Sequence, residues 1–250
     1  MKNSVLTLAA ATLLSGCVIY VGNGHAGDLQ HEERTLALNA VNLSQLIADT
    51  GAGKLDIVGE DGRTDIELVA NIYYYNADDI RLSLVNRGST AKLDAGFNHA
   101  FHSGNSPYID LQVKVPARFD LQLDDGSGDT DIRGLKGDLQ ITDGSGDLHI
   151  RGGNNARITD GSGALSVRQL TGSLQLEDGS GELLLEDIAG DVTVDDGSGD
   201  LTIRAVGGVV TIDDGSGDID VDGAGGLTIV DSGSGGLKLN AINGPVNIND

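Results

Sequence analysis

The chain has few of the residues that cross-link a fold or fill a large aromatic core. Its 250 residues include one Cys, three Pro, one Met and no Trp, and aromatic residues make up 3%. The single cysteine, Cys17, excludes an internal disulfide framework and any metal site built from several thiolates. Helix formers such as Met, Lys and Glu are sparse, whereas Gly is abundant at 38 residues and Leu and β-branched residues supply most of the apolar content. This composition favours strands joined by tight turns.

Positive charge is also scarce. The chain carries 16 Lys and Arg against 38 Asp and Glu, which gives a formal net charge of -22. A surface this acidic repels phosphate backbones, so we expect no nucleic-acid binding.

The first 17 residues predict a lipoprotein signal peptide. Lys2 supplies the positive start, and residues 5–14 form an apolar stretch that is too short to cross a bilayer as a helix. Leu14-Ser15-Gly16-Cys17 resembles the bacterial lipobox. That resemblance implies that Cys17 becomes acylated, for example with palmitate, and anchors the chain in a membrane. Because Val18 rather than Asp follows Cys17, the resemblance favours the outer membrane, with residues 18–34 as a flexible tether.

A Gly-Ser-Gly triplet repeats through the second half of the chain. Its serines are Ser127, Ser145, Ser162, Ser180, Ser198, Ser216 and Ser234, spaced by 18 residues except for one interval of 17. Residues 197–214 show the unit: a Gly-Ser-Gly turn, the alternating segment Leu201-Thr202-Ile203-Arg204, a second turn, and a second alternating segment from Val210. Alternation of this kind is typical of half-buried strands. Neither strand can bury its apolar side alone, so the repeats must stack.

The repeat therefore predicts an all-β fold, a single-stranded parallel β-solenoid with 18-residue coils and two short strands per coil. The regular solenoid should span residues 119–250. Residues 35–118 should form degenerate N-terminal coils with a loop near 86–107, and a separate N-terminal β-domain is the alternative. The segment Gly51-Ala52-Gly53 has the form of an earlier, imperfect triplet.

Several segments together resemble the bacterial toast-rack family, whose members are described as candidate adhesins with β-strand repeats. The resemblance rests on Gly53-Lys54-Leu55-Asp56-Ile57, on residues 109–116 leading into the repeats, and on copies such as Gly146-Asp147-Leu148-His149-Ile150. It covers about residues 35–250. It implies a β-repeat fold and supplies no catalytic residues.

Acidic residues flank the triplets on both sides. Stacked coils would place like charges about 5 Å apart, which Ca²⁺ bridging between coils would relieve. The calcium hypothesis names these residues: Asp125, Asp129, Asp143, Asp147, Asp160, Asp178, Asp196, Asp200, Asp214 and Asp218. The alternative is that Asp-Gly makes solvated turns in which Asp accepts hydrogen bonds from backbone amides.

We expect no enzymatic activity and no cofactor other than this possible Ca²⁺. The repeated Ser does not lie in a Gly-x-Ser-x-Gly elbow, and an even stack gives every coil the same surroundings. The leading hypothesis is a non-catalytic cell-envelope lipoprotein that acts as an adhesin-like or scaffolding solenoid. It would contact the membrane through Cys17 and an envelope protein or surface ligand through its faces. One alternative is a regulatory module that senses envelope stress through a protein partner; the other is a Ca²⁺-binding repeat protein.

Overall fold

The computed structural model describes residues 17–18, 29–99 and 105–249. Most of the predicted signal peptide and residues 19–28 of the predicted tether lie outside these ranges. No helix within the described ranges is long and apolar enough to cross a membrane.

Strands account for nearly all of the regular structure. The N-terminal part contains β1 Cys17–Val18, β2 Gln30–Asn39, β3 Gln45–Ala52, β4 Leu55–Glu60, β5 Asp65–Tyr74, a 3-10 turn Ala77–Asp79, β6 Ile80–Arg87, β7 Thr90–Phe97 and β8 Tyr108–Pro116. The first repeats contain β9 Asp120–Ser127, β10 Thr130–Arg133, β11 Leu139–Asp143, β12 Leu148–Arg151, β13 Ala156–Asp160, β14 Leu165–Leu170, β15 Leu174–Asp178 and β16 Leu183–Ile188. The last repeats contain β17 Val192–Asp196, β18 Leu201–Asp214, β19 Ile219–Asp231, β20 Leu237–Ile242 and β21 Val246–Ile248.

The predicted parallel β-solenoid is confirmed. Face one has the strand order β6-β7-β3-β9-β11-β13-β15-β17, followed by the second halves of β18 and β19 and then β21. Face two has the order β1-β2-β5-β8-β4-β10-β12-β14-β16, followed by the first halves of β18 and β19 and then β20. Each Gly-Ser-Gly triplet joins a strand of face one to a strand of face two.

The core lies between the two faces because alternate side chains of each strand point inward. In β17, for example, Val192 and Val194 are buried whereas Thr193 and Asp195 are exposed. Matching positions in successive coils lie in register, such as Val192 beside Val210. The apolar residues of the second turn, including Leu135, Leu170 and Ile188, are buried as well and close that end of the core.

The N-terminal part is more varied than a series of coils. Strands β3 and β4 form a coil in parallel register with β9 and β10, with Ala52 beside Ser127. The Gly51-Ala52-Gly53 segment is thus a true triplet position. Strands β7 and β8 stack on the other side of that coil, whereas β1, β2, β5 and β6 extend the two faces by antiparallel pairing. These strands continue the faces of the repeats.

Two N-terminal boundaries differ from the sequence expectation. The predicted loop at 86–107 contains the end of β6 and all of β7, joined by a tight turn, so the connection between strands β7 and β8 is only residues 98–107. The predicted tether at 18–34 overlaps strand β2, which begins at Gln30 and pairs with the edge of β5. The antiparallel pairing with β2 satisfies N–H and C=O groups at the edge of β5.

The second turn uses a left-handed backbone conformation in every regular coil. The residues at this position are Gly134, Gly152, Gln169, Asp187, Ala205, Gly223 and Ala241, with φ between 52° and 96°. Four of the seven are not glycine, although this conformation costs an L-residue about 1–2 kcal/mol. The packing of neighbouring coils therefore determines the turn more strongly than local preference does.

Candidate functional site

The Gly-Ser-Gly corner is the closest approach between coils. At Gly199 φ is +146°, and a Cβ there would lie closer than 3.0 Å to the Gly181 carbonyl oxygen of the preceding coil. A Cβ on Gly197 would meet the Gly179 carbonyl in the same way. The glycines are needed because backbone packs on backbone, and the Gly199 N–H donates to the Ser216 carbonyl oxygen of the next coil at 2.9 Å.

The aspartates before the triplets point into the core. We call Asp125, Asp143, Asp160, Asp178, Asp196 and Asp214 the inner aspartate column; each is 1–6% exposed. They pair in register from coil to coil, which sets neighbouring backbones about 4.8 Å apart. None of the carboxyl oxygens of Asp143, Asp160, Asp178 and Asp214 has a well-aligned hydrogen-bond partner within the described residues. Backbone N–H groups of Gly144, Gly161 and Ser216 lie near Asp143, Asp160 and Asp214 and only partly oppose the rise in their pKa values. Such a row of buried carboxyls without a neutralising cation is unusual because burying an unpaired charge is costly.

Burial raises the pKa of all six carboxyls above the ordinary value of 3.8. For Asp143, burial and the charges of Asp125 and Asp160 raise the pKa to about 7. For Asp178, burial and the charges of Asp160 and Asp196 also raise the pKa to about 7. Burial, with the charge of Asp196, raises the pKa of Asp214 to about 6. Asp143, Asp178 and Asp214 therefore titrate near neutrality, far from the usual range of aspartate.

The acids after the triplets lie on the opposite side of the backbone. We call Asp129, Asp147, Glu182, Asp200 and Asp218 the outer acidic column; all are exposed. Asp200 accepts a hydrogen bond from the Asp218 N–H at 3.0 Å, and Asp218 accepts one from the Gly236 N–H at 2.7 Å. Asp129 and Asp147 accept from the next coil in the same way. These carboxylates stabilise the stack by satisfying backbone donors.

This separation changes the calcium hypothesis. The ten aspartates proposed as ligands divide between the buried inner column and the exposed outer column. No group of three or more His, Cys, Asp or Glu side chains in the described ranges is arranged to hold a metal ion. The outer acids match the alternative interpretation, in which Asp accepts from backbone amides.

A second column of polar side chains, missed by the sequence analysis, follows the opposite corner. Asp138 accepts hydrogen bonds from the Asn155 N–H and from two amide side chains, and these lower its pKa. Asn155 accepts from the Ser173 N–H at 3.0 Å, and Ser173 from the Asp191 N–H at 3.1 Å. The sequence signal is a short polar residue directly before the first buried residue of strands β11, β13, β15 and β17. Both corners thus carry side-chain contacts that link each coil to the next.

A column of arginines lies on the outer side of face two. Arg133, Arg151 and Arg168 occupy neighbouring coils in register and, with His149, line a shallow groove of about 590 Å³. Arg133 pairs with Asp131, and Arg168 lies 3.4 Å from Glu186, whereas Arg151 has no ion pair within the described residues. The groove is a local cationic surface on an acidic protein.

The other candidate residues form no catalytic arrangement within the described ranges. None of the seven triplet hydroxyls makes a side-chain hydrogen bond there, so no Ser–His or Ser–Asp pair is present. His99 pairs with Asp79 at 2.9 Å, and His102 lies outside the described residues. The side chain of Cys17 is likewise outside them, and lipidation at Cys17 stays a prediction.

Several solved structures match the chain at low sequence identity. The chain is 13% identical to a "putative cell adhesion protein" from Clostridium sporogenes, over 88% of this chain and 98% of that one, with a TM-score of 0.34. It is 15% identical to a "putative lipid binding protein" from Parabacteroides distasonis, over 90% and 98%, with a TM-score of 0.41. It is 14% identical to a "putative adhesin" from Bacteroides fragilis, over 88% and 97%, with a TM-score of 0.32. A comparison with curated proteins finds no match.

The family model gives the assignment. The model described as Toastrack DUF4097 matches residues 100–223, which span β8, the first Gly-Ser-Gly coils and the inner aspartate column up to Asp214. The stacked coils observed here have the β-repeat form expected from the sequence resemblance. Residues 100–223 of the chain therefore form a toast-rack domain.

Proposed function

We propose that the protein is a non-catalytic envelope lipoprotein that presents its solenoid faces to a partner, as an adhesin or a scaffold. The observation that carries the proposal is the continuity of the two faces. Each runs from the N-terminal strands to the last coil, with outward side chains in register apart from a shift between β18 and β19. Extended faces of this kind are how solenoid proteins bind their partners.

The evenness of the stack supports a role in binding rather than catalysis. A catalytic site needs neighbouring groups whose surroundings differ, so that their pKa values separate into acid and base. The strongly shifted carboxyls occupy the same position in successive coils and are buried away from any substrate. The groove beside Arg151 is the part of face two best suited to an acidic ligand group.

Lipidation of Cys17 predicts a specific change in fractionation. A Cys17→Ser variant should move from the membrane fraction to the soluble fraction and should no longer incorporate a fatty-acid label, because the acylated residue is lost. The measurement is fractionation and labelling of both proteins expressed in a Gram-negative host. Substituting Ser15, which lies two residues before Cys17, by Ala is the matched control, since a small residue keeps the lipobox intact. Membrane retention of Cys17→Ser would contradict the anchor.

Protease treatment of intact cells tests where the faces are presented. Cleavage of the solenoid on whole cells supports a surface adhesin or scaffold. Protection in whole cells, with cleavage only after the outer membrane is opened, contradicts surface presentation and favours the regulatory module that acts through a periplasmic protein. Outer-membrane placement, inferred from Val18, is tested in the same cells by density separation of the two membranes.

A further inference from the structure

The inner aspartate column poses an electrostatic problem that the outer surfaces do not. Six carboxyls lie in one row inside the solenoid, and none of them takes part in an ion pair of the described residues. We propose that this column is a proton-binding site, in which neighbouring carboxyls share protons as acid–carboxylate hydrogen bonds and release them when the solenoid unfolds or the surroundings become alkaline. This inference goes beyond the proposed function and does not depend on it.

The geometry of the row suits shared protons. Asp143 lies between Asp125 and Asp160, and Asp178 between Asp160 and Asp196, each in parallel register. An ionised carboxylate is acceptor-only, so two ionised neighbours repel, whereas one proton between them turns the pair into a donor and an acceptor. The unpartnered oxygens of Asp143, Asp160 and Asp178 are the atoms that such protons would satisfy.

The two ends of the column differ from its middle. At the first end, Thr50 occupies the matching position of the preceding coil and its hydroxyl donates to Asp125, which also accepts from the Thr130 hydroxyl at 3.3 Å. At the other end, a shift in register after Ile212 places Asp213 beside Asp231, and Asp231 is exposed. The column therefore contains these six aspartates and ends at hydroxyl donors on one side and at a shift in strand register on the other.

The charges around the column do not neutralise it. On the strands that carry it, the acids Asp195, Asp213 and Asp231 raise the pKa of inner carboxyls. The basic residue of the face-one segments of these strands, Arg157 on the exposed side of β13, pairs with Glu177 instead. The strands of face two that pack against the column present apolar residues such as Leu148, Leu183 and Leu201, together with the Thr130 hydroxyl. With acids on one side and apolar groups on the other, protons are the available source of positive charge.

The titration behaviour supports this arrangement. The carboxyls with pKa values of about 6 or 7, at Asp143, Asp178 and Asp214, occupy alternate coils. Because the groups interact, these values describe the row rather than isolated residues. The folded chain then binds more protons than the unfolded chain between about pH 4 and pH 7. Stability from this source is greatest near pH 4 and falls as the pH rises towards 7.

The first test compares one inner residue with its exposed neighbour. Asp178→Asn should raise the melting temperature relative to wild type at pH 8, where the wild-type column loses its protons, and change it little at pH 5. Glu177→Gln removes the same charge from the exposed side of β15 and should give the same small shift at both pH values. Should Asp178→Asn fail to fold, Asp143→Asn, set against the same Glu177→Gln control, provides the same comparison. Equal pH dependence for the inner and exposed variants would overturn the proposal.

The second test counts the protons directly. Calorimetric unfolding at pH 6 in buffers of different ionisation enthalpy should show release of about two protons per chain, as the pKa values of Asp143, Asp178 and Asp214 require. Asp178→Asn should release about one fewer. Unfolding without proton release would refute the proposal. So would a melting temperature at pH 8 that added CaCl₂ raises in wild type but not in Asp178→Asn, since the column would then hold a cation.

Discussion

A Gly199→Ala variant is expected to lose at least about 4 kcal/mol of its free energy of unfolding. Its Cβ would overlap the Gly181 carbonyl oxygen, which belongs to the backbone and has no rotamer that relieves the overlap. The residue would also need φ near +146°, a region that costs an L-residue about 1–3 kcal/mol. The two coils would have to separate at the corner, which breaks the hydrogen bonds that Gly199 and its neighbours make to adjacent coils. Urea denaturation followed by circular dichroism measures the loss.

Gly88→Ala is the matched control for backbone strain alone. Gly88 has φ of +71° in the turn between β6 and β7, and a Cβ there would have nothing within 4 Å. Its substitution should cost about 1 kcal/mol, the price of the left-handed conformation without a clash. If Gly199→Ala and Gly88→Ala lost similar amounts, close packing at the corner would not be the reason for the triplet.

Removing the largest fully buried side chain is expected to have the next largest effect. Phe119→Ala should lower the free energy of unfolding by about 3–5 kcal/mol, because the cavity lies where the N-terminal strands meet the first repeat. The ring is 0% exposed, and the guanidinium of Arg118 lies 5.2 Å from its centroid. Arg118 in turn donates to the carbonyl oxygens of Ala40 and Leu43. Denaturant melts of the purified proteins measure the change.

Phe97→Ala is the comparison for Phe119. Phe97 ends strand β7 and is only partly buried, so its truncation removes less apolar contact and should cost clearly less than that of Phe119. Equal losses for the two variants would mean that the junction at Phe119 is no more important than the edge of the N-terminal part.

Much of the fold follows from the spacing of one triplet. A period of 18 residues with two alternating segments can bury its apolar side only by stacking, and the in-register columns follow from that. The coil at 144–161, one residue short in sequence, is also one residue short in register, with Leu139 beside Ala156. A missing residue in one repeat can be placed from the sequence because each coil must align with the coils on either side of it.

The strand alternation predicts the inner aspartate column, provided that its residues are counted as the last residues of the strands and not as part of the turn. In the segment from Val210 to Asp214, residues 210, 212 and 214 share one side, so Asp214 points inward with Val210 and Ile212. An assignment of all these acids to a solvated turn does not distinguish the inner aspartate column from the outer acidic column. Hydropathy favours an exposed aspartate, and here the strand periodicity overrides it.

The antiparallel N-terminal strands were not predictable in the same way. The alternation of residues 66–72 predicts a strand but not its partner, because pairing between β2, β5 and β8 spans unrelated sequence and leaves no repeat. The left-handed conformation at Gln169, Asp187 and Ala205 could not be predicted from the sequence either, because these residue types rarely adopt it.

Paired cysteines test the in-register solenoid most directly. In a Cys17→Ser background, Gln175 and Thr193 are exposed partners on β15 and β17, whereas Asp195 lies two residues further along β17. A Gln175→Cys, Thr193→Cys pair should form a disulfide readily in the native protein, because directly paired backbones lie about 4.8 Å apart, within the reach of the bond. A Gln175→Cys, Asp195→Cys pair should form it poorly. Preferential crosslinking of the second pair, or equal crosslinking of both, would contradict the 18-residue coil on which the whole account depends.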